Sequence, residues 1–273
     1  MAKQAIFGEL DYAPCRYGGS RTVFRGPRVP LDGAYTAVIG GSEVYGRYVA
    51  EPFPARLARR TGARVVNLGI VNAGVDAFLS DEPLMHVIAA ARIAVVQLSG
   101  VHNISNRLYT VHPRRNDRFL RASRILTDLY RTVDFSDFAF TRHMLVTLRR
   151  TCPERFAQVE LELAEAWQAR MRTLLSHLGG RRVLLQIDTR EGYGVGPEPA
   201  FVTPLLLDGL EGRYDEIVRC DLSDDVARRG ADDMIFPPAR RAAALRMLSP
   251  EGHECVANAL AQALRLADDG IAA

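Results

Sequence analysis

The chain has 273 residues, 48% of them apolar and 25% charged, with a formal net charge of +3. That supplies a full hydrophobic core and too little net charge to mark a nucleic-acid binder. The four cysteines, Cys15, Cys152, Cys220 and Cys255, form no CxxC pair, which excludes a zinc knuckle or disulfide scaffold and leaves free thiols in a reducing compartment.

No apolar run reaches the ~20 residues that cross a bilayer. The first eleven residues lack the apolar stretch of a secretory signal, so a cytoplasmic protein without a membrane partner is expected. Arginine supplies nearly all the positive charge, with Lys3 the only lysine. Such a skew reflects a GC-rich genome as readily as an anion-binding surface.

Residues 1–33 read as an irregular arm. Residues 35–39 are a short β-branched run into Gly40-Gly41, the pattern of a strand buried on both faces. Residues 43–61 follow with helical spacing and arginines toward their end, where they suit the helix dipole. The pattern recurs. Residues 64–68 form a strand into Gly69, 74–91 a helix, and 93–98 a strand into Ser99-Gly100.

Residues 116–131, 135–150 and 153–178 read as helices, a helical insertion over about 116–178. Residues 182–187 and 216–222 supply two more strands. Ser249 then caps a last helix with Pro250 at its first position. Strands alternating with helices predict an α/β fold with a doubly wound, mainly parallel sheet. No internal repeat or long linker divides the chain, so one domain over 34–273, carrying the insertion, is expected.

In an open parallel sheet, ligands bind outside the carboxyl ends of the strands. Three loops fall there: Gly40–Glu43, Asn67–Gly74 and Ser99–Asn103. Glycine lets the backbone approach a ligand closely. Ser42, at a helix start, has its hydroxyl beside unpaired amides suited to an anion or a developing oxyanion. The competing reading of one such loop is a plain strand-to-helix turn with Ser as N-cap.

A second cluster, Arg107, His112, Arg114, Arg115 and Arg118 with Tyr109 and Phe119, suits a carboxylate, phosphate or sulfate. Its alternative is a solvated loop paired with acids such as Asp117. Arg142 and His143 add a second basic group if the insertion folds over the crevice. The spacing of Gly40–Gly46 fits neither a dinucleotide fingerprint nor a P-loop, and no cofactor or metal is expected.

The order of strand, G-x-S loop and helix, then N-x-G-x-x-x-x-G, then an Asn after the third strand resembles the SGNH (GDSL-like) hydrolase superfamily, flavodoxin-like in its sheet. The resemblance implies Ser42 as nucleophile, with Asn103 and the backbone around Gly41, Gly69, Asn72 and Gly74 stabilising an oxyanion. It also implies a C-terminal D-x-x-H, but Ala244 and Met247 stand at those positions. His253, one turn into the last helix, is then the remaining candidate base, with Asp232 or Asp233 to orient it.

A serine without a base stays a weak nucleophile. The implied activity is a hydrolase or acyltransferase acting on a small ester or an acylated glycan. The alternative is a catalytically inactive relative that binds an acidic sugar or other anionic ligand. The whole chain also resembles an uncharacterised bacterial family, a domain of unknown function. Glu9–Tyr12, Cys15–Gly18, Phe24–Pro27, Gly40–Gly46, Asn67–Gly69 and Tyr109–Phe119 carry that likeness, which implies no activity.

Overall fold

The β-branched runs around Val38, Val66, Val95, Leu184 and Val218 pair into one five-stranded sheet, parallel throughout. A computed structural model describes residues 6–189, 194–223 and 231–271. In chain order its elements begin with β1 (Ile6–Phe7), β2 (Thr36–Gly40), α1 (Ser42–Tyr45), α2 (Phe53–Thr61), β3 (Val65–Gly69), α3 (Asp76–Leu79), α4 (Glu82–Ala89) and β4 (Ile93–Gln97). Then come β5 (Tyr109–His112), β6 (Arg115–Ala122), α5 (Arg124–Leu129), α6 (Thr141–Thr151) and α7 (Pro153–Ser176). The chain closes with β7 (Arg181–Asp188), α8 (Pro204–Asp208), β8 (Glu216–Asp221), β9 (Ile235–Phe236), α9 (Arg241–Ala244) and α10 (Pro250–Ile271).

The order across the sheet is β3-β2-β4-β7-β8. Taken as first to fifth strand this is 2-1-3-4-5, the flavodoxin-like doubly wound order, and its direction reverses between β2 and β4. The expected fold class is therefore the one found, and each expected core strand lies within about two residues of its observed bounds.

Successive side chains of a strand point to opposite faces, so each strand feeds two cores. Ala37, Ile39, Val66, Leu68, Ala94, Val96 and Leu184 meet Leu84, Ile88, Trp167 and Leu174 on one side. Val38, Val65, Val95, Val183 and Leu185 meet Phe53, Leu57, Val256 and Leu260 of α2 and α10 on the other. The Ser249 cap is present, its hydroxyl accepting the Gly252 N–H at 3.0 Å.

Four helical expectations are corrected, one of them at residues 135–150, where a short 3-10 turn over Phe135–Asp137 is followed by extended chain and the helix starts only at Thr141. Residues 43–61 are two helices, because Gly46 ends α1 in the left-handed region at φ 71° and Pro52 precedes α2. The buried Arg25 side chain holds the turn between them, donating to the carbonyls of Gly46 and of Ala50. Residues 74–91 also break, where the Asp81 carboxylate accepts the Leu84 N–H at 3.2 Å and starts α4.

Residues 116–122 are strand, not helix: β6 pairs antiparallel with β5, with register shifts on either side of Val111. Polar residues dominate β6, and those irregularities obscure a period of two. The insertion is thus a hairpin followed by helices.

Candidate functional site

The three loops expected to converge do so at the reversal point between β2 and β4. They line a cavity of about 580 Å³ together with residues of β6, α6 and the segment before α10. Gly41, Ser42, Glu43 and Arg47 come from the first loop and Asn72 from the second. Ser99, Gly100, His102 and Asn103 come from the third. Asp117, Thr141, Arg142, Glu198, Arg246 and Met247 also line it, so the wall carries both acids and bases.

Ser42 begins α1 and is 7% exposed. Its hydroxyl accepts the Asn72 backbone N–H at 3.2 Å and donates to Asn72 Oδ1 at 3.1 Å. Asn72 holds this grip from the left-handed region, φ 59°, which asparagine tolerates better than most side chains. Its Nδ2 in turn donates to Asp117 Oδ2 at 3.0 Å. The chain Ser42–Asn72–Asp117 looks like a relay but has an amide in the middle. An amide oxygen accepts a hydrogen bond without taking the proton, so Ser42 stays a hydroxyl here.

The glycines expected to donate to an oxyanion have other work. The Gly41 N–H goes to Gln97 Oε1 at 2.9 Å, Gly69 N–H to Asn67 Oδ1 at 2.9 Å, and Gly74 N–H to Asn116 Oδ1 at 2.8 Å. A Cβ on Gly69 would collide with the backbone nitrogen of Tyr45, and one on Gly74 with the carbonyl of Asn103. Close approach of chain to chain explains both residues. Asn103 does line the cavity, its Oδ1 taking the Thr141 hydroxyl at 3.1 Å.

His253 is placed away from Ser42's surroundings. It is 1% exposed, is absent from the cavity lining, and its Nδ1 accepts the Phe53 N–H at 3.1 Å. The ring stacks on Phe53 with centroids 5.8 Å apart. Burial first, then Arg56 and Arg25, push its pKa down to about 3. The base position suggested by the superfamily pattern carries a thioether, because Met247 lines the cavity while Ala244 packs beside Tyr48 and Phe236. Asp232 and Asp233 stand outside the cavity lining as well.

Of the basic residues singled out beforehand, Arg142 alone reaches the cavity. Arg107 is drawn to Glu162 and Glu165 of α7. Arg114 and Arg115 are exposed at the hairpin turn, where His112 Nδ1 accepts both their backbone N–H groups at 3.2 Å. His143 sits edge-on to Phe138 at 5.1 Å.

The titratable groups that do face the cavity went largely unread in the sequence. Glu43 is half-buried, accepts the Gln97 amide at 3.0 Å, and is raised above the ordinary carboxylate range, chiefly by burial. Glu198 pairs with Arg142 and accepts the Ala200 N–H at 2.9 Å. Burial opposes its ionisation, yet His102 and Arg142 with those hydrogen bonds hold it below the ordinary range. His102, 2% exposed, meets Arg142 at 3.4 Å through Nε2, and burial followed by Arg142 lowers its pKa to about 4.

Arg47 is half-buried, its guanidinium 4.7 Å from the Tyr48 ring centre, with no carboxylate partner among the described residues. His102 had a visible signal, its place beside Asn103 in the third loop. Asp117 and Glu198 had none, since only the fold carries them there.

A family model described as a domain of unknown function, DUF6473, matches residues 1–267. No curated protein matches the chain in sequence. Among solved structures, a lipase from a goat rumen metagenome is similar at 12% identity and a TM-score of 0.45, over 84% of this chain and 96% of that one. A catalytic mutant of an acetylxylan esterase from Geobacillus stearothermophilus is similar at 15% identity and a TM-score of 0.43, over 84% and 93%.

Proposed function

We propose, for a chain that belongs to the DUF6473 family of unknown function, that the cavity binds a small anionic ligand, an acidic sugar or another organic acid, without serine catalysis. The observation that carries this reading is the pairing of Ser42. Its hydroxyl is engaged on both sides by Asn72, while Met247 stands where the superfamily pattern would put a base and His253 is committed to Phe53. Nucleophilic attack needs a group that takes the hydroxyl proton, and none is hydrogen-bonded to Ser42 among the described residues. In this reading the chain is an SGNH-like protein whose serine is held by the Asn72 loop and is not used as a nucleophile.

Arg47 supports the anionic character of the ligand, because it lines the cavity and its guanidinium, set over the Tyr48 ring, has no carboxylate partner among the described residues. A planar guanidinium in a cavity that the Asn103 amide also lines suits a carboxylate. The test pairs two measurements. A fluorophosphonate probe should leave wild type unlabelled while labelling a control esterase. Glucuronate should raise the melting temperature of wild type more than that of Arg47→Gln. Labelling that disappears in Ser42→Ala would restore the hydrolase or acyltransferase reading and end this one.

A further inference from the structure

The cavity wall is divided by element. The loops after β2, β3 and β4 line it with polar groups such as Ser42, Asn72 and Asn103, and Arg47 adds a cation. The segment that runs out of α9 into α10 lines it mainly with hydrocarbon, from Ala243, Leu245 and Met247, with Arg246 the charged side chain among them. Phe140, the residue before α6, adds an aromatic ring.

Two of these apolar side chains are open to solvent. Of the seven large apolar side chains exposed among the described residues, Phe140 at 43% and Leu245 at 36% line this cavity. A single exposed apolar side chain needs no explanation. Two from segments far apart in the chain, on the rim of one cavity, make a surface that a hydrocarbon group covers favourably. The Arg118 guanidinium lies over the Phe140 ring, 5.1 Å from its centre, and helps to hold the ring in place.

The cation and the hydrocarbon are neighbours. The Arg47 guanidinium stands 4.7 Å from the centre of the Tyr48 ring, and Ala243 and Met247 pack against the buried cluster that contains Tyr48. A ligand paired with Arg47 therefore lies near that segment. Hydroxyl groups set against Leu245 would give up water without gaining a partner. We infer that the occupant is an acid that carries an aryl or alkyl group, with Arg47 holding the acid and Phe140 and Leu245 selecting the hydrocarbon. This inference rests on the binding reading above and narrows it from any small acid to an amphipathic one.

The experiment titrates the full chain calorimetrically with methyl β-glucuronide, phenyl β-glucuronide and phenyl β-glucoside, and with propionate and 3-phenylpropionate as acids without a sugar. In at least one series the phenyl-bearing acid should bind wild type about tenfold more tightly than its counterpart, the scale of burying part of a phenyl ring. Phe140→Ala should bring that ratio to within about twofold of one, and Leu245→Ser should lower it. Both side chains are exposed, so neither substitution should unfold the chain. Arg47→Gln should weaken both members of the pair and keep the ratio, and phenyl β-glucoside should bind more weakly than phenyl β-glucuronide.

Equal binding of the phenyl-bearing acid and its counterpart in both series would overturn the hydrocarbon proposal and leave the anion reading standing. A phenyl preference unmoved by Phe140→Ala and by Leu245→Ser would overturn it too, as would no binding by either phenyl-bearing acid. Phenyl β-glucoside bound as tightly as phenyl β-glucuronide would instead end the anion reading, and the phenyl ratio on Phe140→Ala would still decide the hydrocarbon claim. Labelling of Ser42 by the fluorophosphonate would sink the non-catalytic reading without touching the phenyl ratios.

Discussion

His102 and His253 are alike in the properties most often used to find a working histidine. Both are buried, and burial leads both pKa values down, to about 4 and about 3. Their surroundings differ. His253 satisfies one of the amides that the start of α2 leaves unpaired and stacks on the ring of that same residue. It fastens α10 to α2. His102 lines the cavity, its Nε2 3.4 Å from Arg142, while Nδ1 and Cε1 pack so close to Gly100 that a Cβ there would collide with the ring. A perturbed pKa thus marks burial in both; a place in the cavity lining marks the site in one.

The largest effect that separates them is on stability. His253→Ala removes a packed ring and strands the Phe53 N–H, and should cost about 3 kcal/mol or more in urea unfolding. His102→Ala, whose ring gives up one weak contact to Arg142, should cost visibly less while weakening glucuronate binding. Equal losses of stability would break the comparison.

Acid should act on both histidines with the same sign. Each binds its proton near pH 6.5 when unfolded and only near pH 4 or 3 when folded. Below pH 6.5 the unfolded state holds the extra protons, so stability falls as the pH falls. The slope should approach about 1.4 kcal/mol per pH unit for each histidine down to about pH 4. Glu43, raised by burial, contributes oppositely as it ionises at higher pH in the fold. Urea unfolding between pH 7 and 4.5 checks this, and His253→Gln should remove one histidine's share of the slope. A flat profile would contradict the buried neutral state of both rings.

How much of this was legible follows from what each feature depends on. The five strands were visible because strands buried on both faces must be largely apolar, as residues 37–39 and 93–96 are. The convergence of the three loops then followed from topology. The cap at Ser249 was local, and it is present. The hairpin of β5 and β6 was hidden, since a partly solvated, bulged strand such as Arg115–Ala122 has no clean period to read. The roles of the glycines were also out of reach, because whether an amide such as that of Gly74 is available depends on Asn116, which is distant in sequence.

The arginines show the same limit, and they carry the two smallest predictions. A cluster in sequence is a cluster in space only where the backbone turns its members the same way. Arg47, isolated in the chain, lines the cavity, and Arg47→Gln should weaken glucuronate about tenfold, which is about 1.4 kcal/mol, with little change in melting temperature. Arg114 and Arg115, adjacent in the chain and richest in apparent promise, project from an exposed hairpin turn. The double substitution Arg114→Ser, Arg115→Ser should change neither the glucuronate affinity nor the melting temperature measurably, because solvent screens both charges. A loss of affinity there equal to that of Arg47→Gln would mean that the hairpin closes over the cavity when ligand is bound. The anion would then be held from β6 as well as from the loop after β2.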